Sequence, residues 1–246
     1  MIALHLALAA FALPLSVAAQ DKKPPVKVVQ RAKYVLPLAV APGFAGKVTV
    51  RGFDLDSATE VTADGGLTVK AVGKPRKAAP PQNVPPELTG DTEVDVELTL
   101  PKDFSGPQVA LKVGAAEPVK LLVVPNLVAE KEPNDGFATG QLIIPPLTLY
   151  GTVEKPRDVD VYRFLGRKGQ RWRFAVTARK LGSPVDALLT LYDDRKRVVE
   201  SCDDLGTEAD PSFAVTLPRD GVYFLSVIDS HDQGGGIFPY VLSITK

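Results

Sequence analysis

The sequence predicts an all-β protein that is built from two β-sandwich domains. Short runs such as KVTVRGF (residues 47–53) and EVDVELTL (residues 93–100) alternate apolar and polar side chains, which is typical of strands with one buried face. The 22 prolines and 20 glycines fall largely between such runs, as turn residues do in all-β proteins. No window of ten or more residues shows a convincing helical period, so helices are not expected to form the core.

The composition supports folded cores and disfavours some partners. The hydrophobic fraction is 45% of 246 residues, which is enough for two modest domains. The 29 basic and 29 acidic residues cancel, so no strong field would attract nucleic acid or an anionic membrane. We therefore expect no nucleic-acid partner.

The first 26 residues are expected to precede the folded domains. Residues 1–19 (MIALHLALAAFALPLSVAA) are apolar and end in small residues, which predicts a signal peptide. A short membrane anchor is the alternative, but Pro14 and the short apolar length disfavour it. Residues 20–26 are expected to form a linker. The pattern predicts an exported protein that is extracellular, cell-surface or periplasmic, with no membrane span after signal cleavage.

The first domain is predicted over residues 27–126. Strands are predicted at residues 34–40, 47–53, 66–72, 93–100, 108–113 and 119–124. Residues 73–91 contain five prolines and are expected to form a long extended loop. The segment APGFAGKVTVRGFDLDSATEV (residues 41–61) resembles the opening of the IPT/TIG branch of immunoglobulin-like domains. That resemblance implies an immunoglobulin-like β-sandwich.

The second domain is predicted over residues 127–246. Its strands are predicted at residues 147–153, 159–165, 171–178, 187–192, 198–201, 213–217, 222–228 and 240–244. Eight short strands separated by turn residues indicate a sandwich or a jelly roll. Alternation along two strands assigns a set of side chains to the core: Trp172, Phe174, Val176, Tyr223, Leu225 and Val227.

An irregular acidic segment precedes these strands. EKEPNDGFATG (residues 130–140) places the oxygen donors of Glu130, Glu132, Asn134 and Asp135 within six residues. Calcium binds six to eight oxygen ligands in irregular geometry, and such a segment offers that donor set. The alternative is a turn without metal, in which Asn134 and Asp135 cap the turn and both glutamates remain solvated.

Several blocks of the second domain carry a family resemblance. They are EPNDGFATG, GTVEKPRDVDVYRF, GSPVDALLTLYD, ESCDDLG, PRDGVYFLSVID and YVLSI, in this order over residues 132–244. Together they resemble the bacterial pre-peptidase C-terminal (PPC) domain, a jelly-roll β-sandwich related to the collagen-binding modules of bacterial collagenases. The resemblance implies that the acidic linker and the first strand pair enclose calcium. The ligands that it implies are Glu130, Glu132, Asn134, Asp135, Asp158 and Asp160.

Two other parts of the second domain contain side chains that metal sites or catalysis can use. Asp193, Asp194, Asp203 and Asp204 flank a basic turn, and a solvated hairpin is favoured over a second metal site. Cys202 is interpreted as a half-buried thiol at a strand end; a nucleophile would need His231, about thirty residues further on.

The sequence indicates no catalytic machinery. It contains no GxSxG or HExxH motif, and His231 is the only histidine after residue 19. We therefore expect a secreted, non-catalytic binding or adhesion protein whose PPC-like domain is ordered by calcium, with an extracellular protein or polysaccharide as partner. The alternative is a structural spacer, or an accessory subunit of a secreted peptidase or cell-surface assembly. An exposed strip of aromatic side chains on one sheet would favour the first function.

Overall fold

The computed structural model describes residues 29–58, 60–204 and 209–246. These residues form two β-sandwiches joined along an apolar junction, which confirms the predicted all-β fold. The predicted signal peptide (residues 1–19) and linker (residues 20–26) lie outside the described residues. Within the described ranges, no helix combines the length and the apolar character needed to cross a membrane.

The N-terminal sandwich consists of two four-stranded sheets. Its strands are β1 (Arg31–Leu36), β2 (Ala39–Val40), β3 (Ala45–Phe53), β4 (Val61–Ala63), β5 (Val69–Lys77), β6 (Thr92–Thr99), β7 (Gln108–Val113) and β8 (Val119–Val123). One sheet has the order β1-β3-β6-β5 and the other has the order β2-β8-β7-β4. Along β6, Val94, Val96 and Leu98 are buried and alternate with more exposed polar residues, as the sequence predicts.

Two predictions for this sandwich are wrong. The strand expected over residues 34–40 is split, because Pro37 lacks the N–H needed to continue a strand ladder. Strand β1 therefore pairs with β3 in one sheet, and β2 pairs with β8 in the other. Residues 73–91, which were expected to form an extended loop, also contain regular secondary structure. Strand β5 continues to Lys77 along the sheet edge, where Pro75 falls within an irregularity of the register, and Pro86–Thr89 form a short helix, α1.

The C-terminal sandwich consists of two five-stranded sheets. Its strands are β9 (Val128–Ala129), β10 (Gln141–Leu142), β11 (Leu147–Thr152), β12 (Asp160–Gly166), β13 (Arg171–Thr177), β14 (Ala187–Tyr192), β15 (Val198–Cys202), β16 (Ser212–Thr216), β17 (Gly221–Asp229) and β18 (Pro239–Thr245). The sheets have the orders β10-β12-β17-β14-β15 and β16-β13-β18-β11-β9. All eight predicted strands are present, while the two-residue edge strands β9 and β10 were not predicted. Three short 3-10 helices complete the described elements: Leu55–Ser57, Asp64–Gly66 and Arg179–Leu181.

The C-terminal core contains every side chain that strand alternation assigned to it. Trp172, Phe174 and Val176 from β13 pack against Tyr223, Leu225 and Val227 from β17, and all six are buried. Val84 belongs to the N-terminal half of the chain but is buried in this same core. The loop that precedes α1 therefore completes the packing of the C-terminal sandwich.

A separate apolar cluster joins the two sandwiches. We call it the junction cluster; its buried members are Tyr34, Leu38, Ala39, Leu181 and Val241. The Tyr34 hydroxyl also donates a hydrogen bond to the Ile237 carbonyl oxygen at 3.2 Å. The predicted domain boundary between residues 126 and 127 lies between β8 and β9, directly beside this cluster.

Candidate metal centre

The acidic segment is held between the two sheets of the C-terminal sandwich. The Glu130 N–H donates to the Tyr150 carbonyl of β11 at 2.9 Å, and the Asn134 carbonyl accepts from the Val161 N–H of β12 at 3.1 Å. Strands β11 and β12 belong to opposite sheets. Main-chain hydrogen bonds therefore fix the segment at Glu130 and at Asn134, so the side chains between them lie near the start of β12.

Three carboxylates converge there. One carboxylate oxygen from each of Glu130, Glu132 and Asp160 lies within 4.8 Å of the others. Asp160 is fully buried, Glu130 is half-buried and Glu132 is exposed, so the group is open on the Glu132 side. Like charges this close repel, and burial strengthens the repulsion. The group therefore favours either a bound cation or a bound proton.

Three buried oxygen atoms beside these carboxylates have no hydrogen-bond donor. They are Asn134 Oδ1, Asp158 Oδ1 and Asp160 Oδ1. Buried polar atoms in folded proteins are nearly always hydrogen-bonded, so three unpartnered acceptors in one place need a common explanation. All of them are hard oxygen ligands, which is the donor type that calcium prefers. The residues present thus fit a calcium ion.

Two tyrosine hydroxyls form the floor of the group. Tyr162 donates to Glu130 Oε1 at 2.6 Å, and Tyr240 lies 2.7 Å from Asp160 Oδ2 and 3.1 Å from Glu130 Oε1. The two hydroxyls also contact each other. Each hydroxyl has one proton to donate, so the two hydroxyls cannot donate a hydrogen bond in every one of these contacts. A proton on Asp160, or a cation beside it, would complete the network.

The pKa shifts of these residues also indicate that the network lacks a proton or a cation. Burial first, and then the charge of Glu130, raise the pKa of Asp160 well above its ordinary value. Burial and the charges of Glu130 and Asp158 also raise the pKa of Glu132. Desolvation likewise raises the pKa of Tyr162 and of Tyr240, so both hydroxyls remain protonated donors. Nearby positive charge would lower the pKa of both carboxyls.

A lysine lies at the rim. Lys155 Nζ is 2.8 Å from Asp135 Oδ1 and 3.3 Å from Asp158 Oδ1, although the latter approach lacks hydrogen-bond geometry. The other oxygen of Asp158, Oδ2, accepts the Glu154 N–H at 2.6 Å. The hydrogen bond from Lys155 holds the pKa of Asp135 below its usual range. Asp135 is therefore an exposed partner of Lys155 and is not among the three converging carboxylates.

The structure thus brings five of the six predicted ligands to one place, with the sixth at its rim. Asp158 differs slightly from expectation: β12 begins at Asp160, so Asp158 ends the preceding turn, yet both side chains are buried. Sequence reasoning missed Tyr162, Tyr240 and Lys155. A signal existed for Tyr162, which follows Asp160 by two residues and must share its strand face.

The second acidic group is divided in the structure. Asp193 is 3% exposed, which corrects the prediction of a solvated side chain. It forms ion pairs with Arg197 and Arg219, and its Oδ1 accepts the Arg195 and Arg197 N–H groups, so it caps the turn. Carboxylate oxygens of Asp186, Asp203 and Asp204 lie within 4.8 Å of one another at the surface. Cys202 is half-buried at the end of β15, as interpreted from the sequence.

Comparison with known proteins finds one curated relative that matches part of the chain. No protein-family model matches the chain. The chain is 35% identical over 117 residues to a probable subtilase-type serine protease of Deinococcus radiodurans. The match covers 44% of this chain but only 15% of that relative.

Solved structures give further similarities. The chain is similar to the pre-peptidase C-terminal domain of a collagenase from Bacillus anthracis, with 18% identity and a TM-score of 0.36 over 43% of this chain and 94% of that domain. It is also similar to the secreted serine protease VesC from Vibrio cholerae, with 10% identity and a TM-score of 0.31 over 84% of this chain and 48% of that one. The first of these solved structures carries the name of the family that residues 127–246 resemble in sequence. The IPT/TIG resemblance of residues 27–126 stays a prediction.

Proposed function

We propose that this chain is a non-catalytic module of an exported protein and that its C-terminal sandwich binds a calcium ion. The ligands are Glu130, Glu132, Asn134, Asp158 and Asp160. The observation that carries this proposal is the set of three buried oxygen atoms without a hydrogen-bond donor on Asn134, Asp158 and Asp160. Capping a turn would give these atoms hydrogen-bond donors; of the three, Asp158 Oδ1 has a cation nearby, the Lys155 ammonium at 3.3 Å, and Asn134 Oδ1 and Asp160 Oδ1 stay unexplained by a metal-free turn.

Charge gives the ion its structural effect. Four carboxylates meet one neutral amide in this ligand set, and a divalent cation offsets part of their repulsion. The ligands come from the acidic segment, from the turn before β12 and from β12 itself. Bound calcium would therefore fasten the segment to the sandwich, and binding only the folded form stabilises it by about 2.7 kcal/mol at a hundredfold excess over Kd.

The surface of one sheet supports a binding role. Phe137 packs edge-on against Tyr192 and Phe224, with ring centroids 5.2 and 5.0 Å apart, on the outside of the sheet that contains β12, β14 and β17. Leu165 of β12 is 78% exposed nearby. The three rings are each half-buried rather than exposed, and together with Leu165 they form an apolar patch that is compatible with an extracellular protein or polysaccharide as partner.

A spacer or accessory role is the second candidate. The junction cluster supports it, because buried apolar side chains from both sandwiches hold them as one body. The partly matching relative is named a subtilase-type protease, so an accessory module beside a secreted peptidase is the specific form of this candidate. Calcium binding by the C-terminal sandwich is compatible with either role.

Calcium titration of the protein tests the proposal. We expect isothermal calorimetry to detect calcium binding. We also expect the melting temperature, followed by the fluorescence of the single tryptophan Trp172, to be a few degrees higher in calcium than in chelator. Asp160→Asn should fold but lose both effects. Asp103→Asn removes an exposed carboxylate of the N-terminal sandwich and should change neither. Identical melting of the wild-type protein in calcium and in chelator would contradict calcium binding.

A further inference from the structure

The lysine at the rim contacts an atom that a metal would need. Asp158 has one oxygen, Oδ2, that accepts the Glu154 N–H, and a second, Oδ1, that lacks a hydrogen-bond donor. Lys155 Nζ lies 3.3 Å from this second oxygen. The Asp158 side chain is 1% exposed whereas the Lys155 side chain is 61% exposed. The ammonium thus reaches a buried carboxylate from the solvent side.

We propose that Lys155 is a tethered competitor for calcium: its ammonium neutralises Asp158 before the ion binds and is displaced from Asp158 Oδ1 when the ion enters. This inference rests on the proposed calcium site and adds a regulation of it. Binding is then an exchange of one cation for another, and the affinity of the site is lower than its oxygen ligands alone would give.

The surroundings of Lys155 make the exchange feasible. Asp135 Oδ1 is 2.8 Å from the ammonium, closer than Asp158, and its side chain is 45% exposed. A displaced ammonium therefore keeps one ion pair in a hydrated position and gives up the other. Calcium carries twice the charge and coordinates several oxygens at once, so it gains more at the buried carboxylates than the ammonium loses.

Calorimetric titration of calcium chloride into Lys155→Met tests the competition. Methionine keeps the length of the side chain and removes the charge. We expect calcium to bind roughly two- to fivefold more tightly than to the wild type, which corresponds to about 0.4–1 kcal/mol. Arg157→Met is the matched control, because Arg157 lies in the same turn, is 84% exposed and pairs with Asp232 rather than with the ligand set. Its calcium affinity should stay near that of the wild type.

The outcomes separate the two proposals. Equal affinity in the wild type and Lys155→Met, or weaker binding in the variant, would overturn the competition and leave the calcium site standing. A gain of the same size in Arg157→Met would also overturn it, because it would show a general effect of charge. Absence of calcium binding in all three proteins would overturn the site and, with it, the role of Lys155. Melts of both variants in chelator check that they fold like the wild type.

Discussion

The Tyr240 hydroxyl lies 2.7 Å from Asp160 Oδ2 and links the two sheets of the C-terminal sandwich through its interior. Tyr240 belongs to β18 and Asp160 begins β12. A charged or protonated acid is rarely buried in the centre of a sandwich without such a partner. The contact therefore ties the candidate metal centre directly to the core.

Removing that hydroxyl should destabilise the sandwich. We expect Tyr240→Phe to lower the free energy of unfolding by about 1–3 kcal/mol, because a buried acceptor on Asp160 then loses its donor. Denaturant unfolding followed by Trp172 fluorescence measures the change, since the chain has no other tryptophan. Tyr150→Phe is the control, because Tyr150 is only partly buried at β11. An equal effect of both substitutions would show that the hydroxyl contact contributes nothing specific.

The stability of the metal-free protein should fall as pH rises. The folded protein holds the pKa of Asp160 above its unfolded value of ~4, so folding favours the protonated acid. Below the unfolded pKa, Asp160 is protonated in both states and does not oppose folding. As the pH rises from the unfolded pKa toward the raised folded pKa, the free energy of unfolding decreases. Melts of chelator-treated protein at acidic and mildly alkaline pH should show a smaller loss in Asp160→Asn than in the wild type. The same loss in both proteins would assign the pH dependence to other groups.

The role of Asp135 can be separated from that of a ligand. If the ion pair with Asp135 holds the displaced Lys155 ammonium away from Asp158, Asp135→Asn should weaken calcium binding by about two- to fivefold relative to the wild type. In the Lys155→Met background the same substitution should have little effect. Calorimetry on the four proteins gives the coupling as a double-mutant cycle. A loss of equal size in both backgrounds would make Asp135 a direct ligand, as the family resemblance implies.

A substitution in the N-terminal half should weaken the C-terminal sandwich. Val84→Ala removes two methyl groups from the C-terminal core, and we expect a loss of about 1–2 kcal/mol in the unfolding monitored by Trp172. Val72→Ala, at a position that is 37% exposed on the edge strand β5, serves as the control and should change this transition little. Unchanged Trp172 unfolding in Val84→Ala would mean that the loop before α1 does not support that core.

Much of the fold follows from local patterns in the sequence. Alternation of apolar and polar residues located β6, β13 and β17 and identified their buried faces, because side chains point alternately to the core and to solvent along a strand with one exposed face. The apolar–polar pattern could not show that the chain passes from one sheet to the other at Pro37, because this depends on which strands pair with β1 and β2. It also could not find the two-residue strands β9 and β10, which are too short to show a period.

The site was predictable as a set of oxygen donors, but its geometry was not. Composition identified Glu130 and Glu132, and the family resemblance added Asp158 and Asp160. Neither could show that Asp135 turns outward to Lys155, because that choice depends on the position of a turn twenty residues further along the chain. Tyr240 lies still further away, and only the packing of β18 against the opposite sheet brings its hydroxyl to Asp160.

The alternation of side chains along β18 has a mechanical consequence. Tyr240 points into the C-terminal sandwich and contacts Asp160, whereas the next residue, Val241, is buried in the junction cluster. Two adjacent residues thus face the carboxylate group and the neighbouring sandwich from opposite sides of one strand. Any movement of β18 that shifts Tyr240 also shifts Val241 in the junction cluster. Strand β18 therefore couples the position of the carboxylate group to the contact between the two sandwiches.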